Sequence, residues 1–262
     1  MASPSPRVAR EWAHSDVEAV VDVGLTTTGG HVWAAARRLA SFLERSGGPY
    51  LCLDDSGAGS HDGRPLKLLE LGAGCGWLGL TVARNCPPSQ VGEVCLTERE
   101  AGGGVAHLQR NVDHNVSRLG PGAFQARVTV ASLDWAAYGE NGGPQSVEDH
   151  RVAPGGESQQ TEGIHRGWDV VLGSDLVFNE ACVYLLPRVL RATLRAGARY
   201  ALYAHTRYRF EILDRDFLKE LEAAGLRCVE VDRDPTRPAS PPAFTSVFED
   251  EFVVLYKITL LE

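Results

Sequence analysis

The sequence predicts an α/β protein with one mostly parallel sheet that carries helices on both faces. Short apolar segments alternate with longer amphipathic segments along the 262 residues, as in strands joined by crossover helices. A glycine-rich turn follows the first of these strands and opens a helix, which is typical of ligand-binding sheets of this class. A chain of this length fits a single domain with extra loops.

The strands and helices are predicted in a regular order. Strands are expected over Leu66–Leu71, Val91–Thr97, Ala126–Leu133, Trp168–Ser174, Tyr200–His205, Arg227–Val231 and Phe248–Leu260. Helices are expected over His31–Ser46, Trp77–Asn85, Gly104–Leu119, Glu180–Leu194 and Phe210–Ala224. The last two strands have no helix between them, so we expect them to pair antiparallel at the end of the sheet. The predicted fold is therefore a doubly wound, Rossmann-like sheet of seven strands, preceded by a helical lead.

Polar segments mark the boundaries and loops of this domain. Residues 1–28 are expected to form a partly disordered lead, and residues 29–262 the domain itself. Gly47–Pro65 is a predicted loop rich in Gly, Ser and Asp. Gly139–Gly167 is longer and has few large apolar residues, which predicts a flexible loop. Because this second loop follows Trp135, we expect it to form part of the substrate surface.

Composition argues against several kinds of partner. The formal net charge is −8, whereas a nucleic-acid partner would need clustered Lys and Arg. No apolar run reaches the ~18 residues of a membrane span. The six cysteines form no C-x-x-C pair, so we expect no metal site and reduced thiols. We therefore expect a monomer of the cytoplasm, with the nucleus as a second compartment, that binds neither nucleic acid nor membranes.

The glycine-rich turn is the main indication of a ligand. Between the first strand and the next helix, the chain contains Gly72, Gly74, Gly76 and Gly79. Glycines there let the chain turn sharply and let a ligand approach the backbone closely. The G-x-G-x-x-G spacing also fits a turn that binds nothing, so the turn needs support from other residues.

Two carboxylates indicate which ligand binds here. Glu98 ends the second strand, roughly 20 residues past the turn, where an acidic residue can accept hydrogen bonds from both ribose hydroxyls of a nucleoside cofactor. Glu70 lies two positions before Gly72, where a carboxylate suits an ammonium group and would repel a pyrophosphate. This favours S-adenosylmethionine over NAD. The lack of a second domain also weighs against a dehydrogenase.

These motifs resemble those of a known family. The chain is similar to the seven-β-strand, S-adenosylmethionine-dependent methyltransferases, and more narrowly to the protein-lysine methyltransferases of methyltransferase family 16. The segments that carry the resemblance are Gly30–Ala35, Leu69–Gly76, Leu96–Glu98, Asn111–Asn115, Leu133–Trp135, Trp168–Phe178 and Phe252–Tyr256. Glu98 stands where the family usually has Asp, so the carboxylate is kept on a longer side chain.

The resemblance implies a site for S-adenosylmethionine. The cofactor residues that it implies are Trp33, Glu70, Gly72, Ala73, Gly74, Glu98, Asp134, Trp135 and Ser174. Glu98 would hold the ribose, and the glycine-rich turn would lie under the methionyl part. Asp134 and Trp135 would bracket the adenine, and Ser174 would contact the ligand through its backbone. From the residues alone, Trp33 also fits a core anchor of its helix and Trp135 a cap on the strand edge.

The resemblance also implies that Asp175 and Phe178 are catalytic residues at the substrate entrance. The family pattern there is Asp-x-x-Tyr, and Phe178 keeps the ring without the hydroxyl. Asp175 would orient the substrate amine, and Phe178 would stack on the cation as it forms. From the residues alone, Asp175 also fits an N-cap of the next helix, and Glu180 fits a first-turn helix charge.

The expected activity is methyl transfer from S-adenosylmethionine to a lysine side chain of a protein. Transfer from a sulfonium is a direct in-line displacement, in which the protein supplies position and electrostatics. No nucleophilic Cys or His is therefore required. Two other functions stay open from the sequence: a methyltransferase for small molecules, and a non-catalytic protein that binds the cofactor and docks a partner.

Overall fold

The computed structural model describes residues 12–22, 28–51, 64–138, 167–207, 211–232 and 252–261. The strands are β1 Leu66–Leu71, β2 Val91–Glu98, β3 Arg127–Ser132, β4 Val170–Ser174, β5 Tyr200–Thr206, β6 Leu226–Asp232 and β7 Val253–Leu260. The helices are α1 Ala34–Tyr50, α2 Trp77–Asn85, α3 Gly104–Leu119, α4 Glu180–Arg195 and α5 Glu211–Ala223. Most of the predicted Gly139–Gly167 loop and the start of the predicted Phe248–Leu260 strand lie outside the described residues.

The seven strands form one sheet in the order β3-β2-β1-β4-β5-β7-β6. Neighbouring strands are parallel from β3 to β5, and β7 is antiparallel to both β5 and β6. Six strands therefore point the same way and one is reversed. This confirms the predicted doubly wound, Rossmann-like sheet and its antiparallel pair. The strand order also shows that β7 lies between β5 and β6, which the sequence did not predict.

Helices cover both faces of the sheet because its central strands are apolar on both sides. Along β1 and β4, Leu68 and Val170 belong to a core shared with α1, α2 and α3. Their neighbours Leu69 and Val171 belong to a second core shared with α4 and α5. Successive side chains of a strand point to opposite faces, so a continuous apolar run supplies both cores at once.

The first helix extends past its predicted end. The sequence predicts a helix to Ser46 and a loop from Gly47, because Gly and Pro disfavour helix. In the structure α1 continues to Tyr50. The Tyr50 ring packs on that of Phe42 with centroids 5.1 Å apart, and Leu51 is buried. Tertiary packing at this end thus outweighs the low helix propensity of the residues before it.

Residues 12–22 lie against the helices of one face. The indole Nε1 of Trp77 donates to the carbonyl of Val17 at 3.1 Å, and the backbone N–H of Trp12 donates to the Glu44 carboxylate at 2.7 Å. The domain boundary that we place after this segment stays a prediction. None of the helices described is long and apolar enough to cross a membrane.

Candidate functional site

A cleft of about 200 Å³ opens at the carboxyl ends of β1, β2 and β4, where ligands bind in open parallel sheets. Its walls contain every residue predicted for the cofactor and the substrate: Trp33, Glu70, Gly72, Ala73, Gly74, Glu98, Asp134, Trp135, Ser174, Asp175 and Phe178. The fold thus brings together residues that lie far apart in the sequence. The individual roles of these residues stay predictions.

The glycine-rich turn needs its glycines for two reasons. Gly72 and Gly74 have φ of 56° and 57°, a left-handed conformation that residues with a Cβ rarely adopt. A Cβ on Gly72 would also lie 2.6 Å from Leu176, and one on Gly74 would lie 3.0 Å from the carbonyl of Gly29. The turn is therefore crowded on both sides, and its backbone borders the cleft.

Three backbone N–H groups of the turn are already bound within the protein. Ala73 donates to the carbonyl of Thr97 at 2.9 Å and Gly76 to that of Ala73 at 2.7 Å. Gly74 donates to the Glu98 carboxylate at 3.0 Å. In dinucleotide sites the glycine-rich turn and the helix N-terminus after it hold the pyrophosphate. The three bound N–H groups are therefore not available to a pyrophosphate.

Glu70 is a buried carboxylate at the end of β1, with only 2% of the residue exposed. Its Oε2 accepts a hydrogen bond from the backbone N–H of Gly79 at 2.8 Å. Burial raises the pKa of Glu70 to about 8, the Glu98 charge adds to the rise, and the bond from Gly79 opposes it. A carboxylate of this kind at a cleft wall suits a ligand cation, as an ammonium would compensate its desolvation.

Glu98 ends β2 with its side chain turned back onto the glycine-rich turn. Its two oxygens accept hydrogen bonds from the backbone N–H groups of Gly74, at 3.0 Å, and Arg99, at 2.9 Å. A carboxylate has about four lone-pair sites, so further donors such as ribose hydroxyls can still bind. Together with Glu70 and the bound N–H groups of the turn, this arrangement fits S-adenosylmethionine and disfavours NAD.

Two tryptophans border the cleft from different elements. Trp135 opens the 3-10 turn after β3, which Asp134 caps by accepting from the Ala136 N–H at 3.0 Å. A Cβ on Gly72 would lie 3.4 Å from the Trp135 ring. Trp33 precedes α1 and is only partly buried. Both rings therefore border the space where a flat ligand group could pack.

Asp175 holds the loop that follows β4. Its carboxylate accepts from the backbone N–H of Thr206 at 2.7 Å and from the Thr206 hydroxyl at 2.8 Å. Its φ is 51°, which is rare for a residue with a side chain and often marks functional sites. Asp175 is not the helix N-cap, because Asn179 caps α4 by accepting from the Cys182 N–H at 3.0 Å. Glu180 lies in the first turn, as predicted.

A buried polar network next to this loop was not predicted. The Tyr203 hydroxyl accepts from the backbone N–H of Leu176 at 3.1 Å and lies 3.2 Å from His205 Nδ1. His205 Nε2 lies 2.8 Å from an Asp214 carboxylate oxygen. The sequence indicates only that His205 is a surface residue or a satisfied core residue. The sequence does contain an indication of the contact between Tyr203 and His205, because the two residues are two positions apart on β5 and therefore lie on the same face of the sheet.

Further lining residues were also missed. They come from the segment before α1, the residue after β2 and the start of α4: Gly29, His31, Arg99, Asn179, Cys182 and Leu185. Burial raises the pKa of the Cys182 thiol. Cys75 also lines the cleft, and burial raises the pKa of its thiol to about 11. These thiols stay protonated at neutral pH and are poor nucleophiles. Among the described residues, no group of His, Cys, Asp and Glu could hold a metal ion.

Several solved structures are similar to this chain at low sequence identity. The human methyltransferase 10 domain containing protein is 9% identical, with 95% of this chain and 92% of that chain covered and a TM-score of 0.47. Precorrin-6y C5,15-methyltransferase from Geobacter metallireducens is 12% identical, with 75% of this chain and 82% of that chain covered and a TM-score of 0.41. Aeropyrum pernix fibrillarin with natively bound S-adenosyl-L-methionine is 14% identical, with 74% of this chain and 66% of that chain covered and a TM-score of 0.42. No curated protein matches the chain in sequence.

A family model identifies the chain more narrowly. The model of methyltransferase family 16, described as lysine methyltransferase, matches residues 15–152. This is more than half of the chain, and it includes the glycine-rich turn, Glu98 and Trp135. The chain therefore belongs to methyltransferase family 16, the lysine methyltransferases, and S-adenosylmethionine is its cofactor.

Proposed function

We propose that the protein transfers a methyl group from S-adenosylmethionine to a lysine side chain of a protein substrate, in the cytoplasm or the nucleus. The observation that carries the proposal is the match of the lysine methyltransferase model to residues 15–152, which include Trp33, the glycine-rich turn, Glu98 and Trp135 of the cleft. Three N–H groups of the turn are bound within the protein and are therefore not available to a pyrophosphate, which supports the cofactor half of the proposal. The composition of the acceptor end supports the substrate half.

On the cofactor side, the chain supplies charge and position. The bound cofactor brings a methyl group that a sulfonium makes electrophilic. Glu70 would pair with the ammonium of the methionyl part, and Glu98 would accept hydrogen bonds from the ribose hydroxyls. The Trp135 ring, held by the capped 3-10 turn, would pack on the adenine. These contacts would hold the cofactor in one orientation for the transfer.

On the acceptor side, the chain supplies an apolar surface. Phe178 and Leu185 line the cleft, and 39% of Phe178 is exposed. A lysine side chain that enters such a surface is desolvated, so its pKa falls from ~10.4 toward neutrality and its nitrogen gains a free lone pair. The Phe178 ring would then stabilise the methylated cation.

Asp175 would orient the amine without acting as a covalent catalyst. The Thr206 N–H and hydroxyl donate to the two carboxylate oxygens of Asp175, which fixes this side chain at the wall of the cleft. The same two bonds hold the backbone between β4 and Phe178 in place. A direct displacement needs this positioning and no nucleophile of the protein.

Calorimetric titration tests the cofactor assignment. We expect S-adenosylhomocysteine to bind the wild-type protein and NAD not to bind. Glu98→Ala should weaken binding by about tenfold or more, since hydrogen bonds to charged groups contribute roughly 1.5–3 kcal/mol each. Glu100→Ala is the matched control, because Glu100 is an exposed acidic residue two positions away. Binding of neither ligand to the wild type would contradict the proposal.

A labelling experiment tests the substrate class. The protein is incubated with lysate and with cofactor that carries a radioactive methyl group, and the products are separated by size. Label in the protein fraction, recovered as methyl-lysine after hydrolysis, is the expected result. Label only in the low-mass fraction would make the protein a small-molecule methyltransferase. Tight cofactor binding with no label in either fraction would favour a non-catalytic binding protein.

A further inference from the structure

Part of the chain before α1 covers the glycine-rich turn like a strap. We define the strap as residues 17–22 and 28–33, which are joined by a hydrogen bond from the Asp22 N–H to the Gly30 carbonyl at 3.1 Å. The Cys75 thiol donates to the Gly29 carbonyl at 3.3 Å. The same carbonyl would lie 3.0 Å from a Cβ on Gly74. The strap therefore rests directly on the backbone of the turn.

Two asparagines of α3 bind the backbone of the strap. The Val20 N–H donates to Asn111 Oδ1 at 2.7 Å, and Asn111 Nδ2 donates back to the Val20 carbonyl at 3.4 Å. The Glu18 N–H donates to Asn115 Oδ1 at 2.9 Å, and Asn115 Nδ2 donates back to the Glu18 carbonyl at 2.7 Å. Each side-chain amide thus forms with one residue of the strap the pair of hydrogen bonds that a neighbouring strand would form.

The spacing of the two amides matches the spacing of the backbone groups that they bind. Four residues along a helix advance about 6.0 Å, and two residues along an extended chain advance about 6.6 Å. Asn111 and Asn115 can therefore engage Glu18 and Val20 together, and the residue between them points the other way. Both asparagines are fully buried, so every bond lost without replacement would leave a buried polar group unsatisfied.

Asn111 and Asn115 together form what we call the clamp, and His107 connects the clamp to the glycine-rich turn. The His107 side chain is buried, and its Nε2 lies 3.2 Å from Asn111 Nδ2 and 3.6 Å from the Cys75 sulfur. Its Nδ1 lies 3.9 Å from the Asp22 carboxylate of the strap. Helix, strap and turn thus share one packed polar cluster beside the cleft.

We propose that Asn111 and Asn115 are positioning residues that set the affinity for the cofactor by holding the strap over the turn. Neither side chain lines the cleft, but the strap carries Gly29, His31 and Trp33, which do. The inference rests on the cleft being the cofactor site. Without the clamp, the strap would have to become ordered when the cofactor binds. This ordering costs free energy, so the affinity falls.

Calorimetry on three variants tests the clamp. We expect Asn111→Ala and Asn115→Ala to weaken binding of S-adenosylhomocysteine roughly tenfold, since each loses hydrogen bonds worth about 1 kcal/mol apiece. With saturating cofactor, kcat should change far less than the cofactor KM. Asn85→Ala is the matched control, because Asn85 accepts from the Ala13 N–H at 2.8 Å, outside the strap. Its affinity should equal that of the wild type.

Hydrogen exchange in the wild type gives a second readout that needs no variant to fold. If strap and cofactor are coupled, S-adenosylhomocysteine must slow exchange at the Glu18 and Val20 amides. The Ala13 amide should not change. Unchanged exchange at Glu18 and Val20 on ligand binding would overturn the inference, as would wild-type affinity in both clamp variants. If the wild type binds no S-adenosylhomocysteine, the cofactor assignment itself fails, which is a different outcome.

Discussion

The buried carboxyl group of Glu70 couples folding and ligand binding to the uptake and release of a proton. Its pKa is about 8 in the folded protein and ordinarily 4.5, so between these values the folded state holds a proton that the unfolded chain releases. The stability from this group is complete below about pH 4.5 and is lost as the pH rises through about 8. We expect the free energy of unfolding to fall more steeply over this range in the wild type than in Glu70→Gln. Denaturant titrations across the range measure both slopes.

The same carboxylate predicts a proton release when the cofactor product binds. An ammonium beside Glu70 favours its charged form, so the carboxyl group should lose its proton on binding near neutral pH. Titration of S-adenosylhomocysteine in buffers with different ionisation enthalpies measures this release. Glu70→Gln should bind more weakly and release no proton from this site. Equal proton release in wild type and variant would show that the ligand amine does not lie at Glu70.

Tyr203 is expected to act on turnover through the Leu176 backbone. Tyr203→Phe leaves a buried N–H without its acceptor, at a cost of about 1–3 kcal/mol, and loosens the loop that carries Asp175. We expect kcat to fall roughly tenfold, which corresponds to about 1.4 kcal/mol, with a smaller change in cofactor affinity. Tyr138→Phe is the control, because among the described residues the buried Tyr138 hydroxyl has no hydrogen-bond partner. Equal losses of kcat would contradict this role.

At the scale of residues, the sequence predicts the groups that belong to a local motif. Glu70, Gly72 and Gly74 follow from a strand, a turn and a helix in immediate succession. The contact between His205 and Asp214 has no such signal, because it depends on how α5 packs against β5. The bond of Asp175 to Thr206 is likewise set by the pairing of β4 with β5.

At the scale of elements, Gly74 is the residue on which strap and turn meet. Gly74→Ala combines an unfavourable φ, which costs roughly 1–2 kcal/mol, with a Cβ that pushes against Gly29. Gly122→Ala is the matched control, since Gly122 has φ of 80° but nothing within 4 Å of its Cβ position. We expect both variants to lose stability in thermal unfolding, and Gly74→Ala to lose more because of its contact with Gly29. Only Gly74→Ala should also lose S-adenosylhomocysteine binding in calorimetry.

Local sequence patterns predict the type of each element better than its ends and neighbours. The strands follow from apolar runs, as β1 and β4 illustrate, because both faces of these strands are buried. The predicted end of α1 was wrong because Tyr50 and Leu51 pack against other residues of the fold, and helix propensities do not include such contacts. The place of β7 between β5 and β6 could not be predicted, since an antiparallel edge pair can join the sheet through either strand.

At the scale of the whole molecule, cofactor binding should stabilise the fold. A ligand that binds only the folded state, at ~100 times its dissociation constant, adds about 2.7 kcal/mol. For a domain of this size we expect a rise in Tm of roughly 5–10 °C with S-adenosylhomocysteine. NAD at the same concentration is the control and should leave Tm unchanged. An equal rise with both ligands would argue against a site selective for S-adenosylmethionine.

The strand order also dictates when the sheet can be completed during synthesis. Because β7 lies between β5 and β6 but follows both in the chain, a ribosome that has made β6 has produced two strands with no partner between them. Until β7 emerges, β5 presents an open edge that other chains can pair with. A stop codon anywhere between β6 and β7 would therefore yield a product prone to aggregation, even though every residue of the cleft would already have been made.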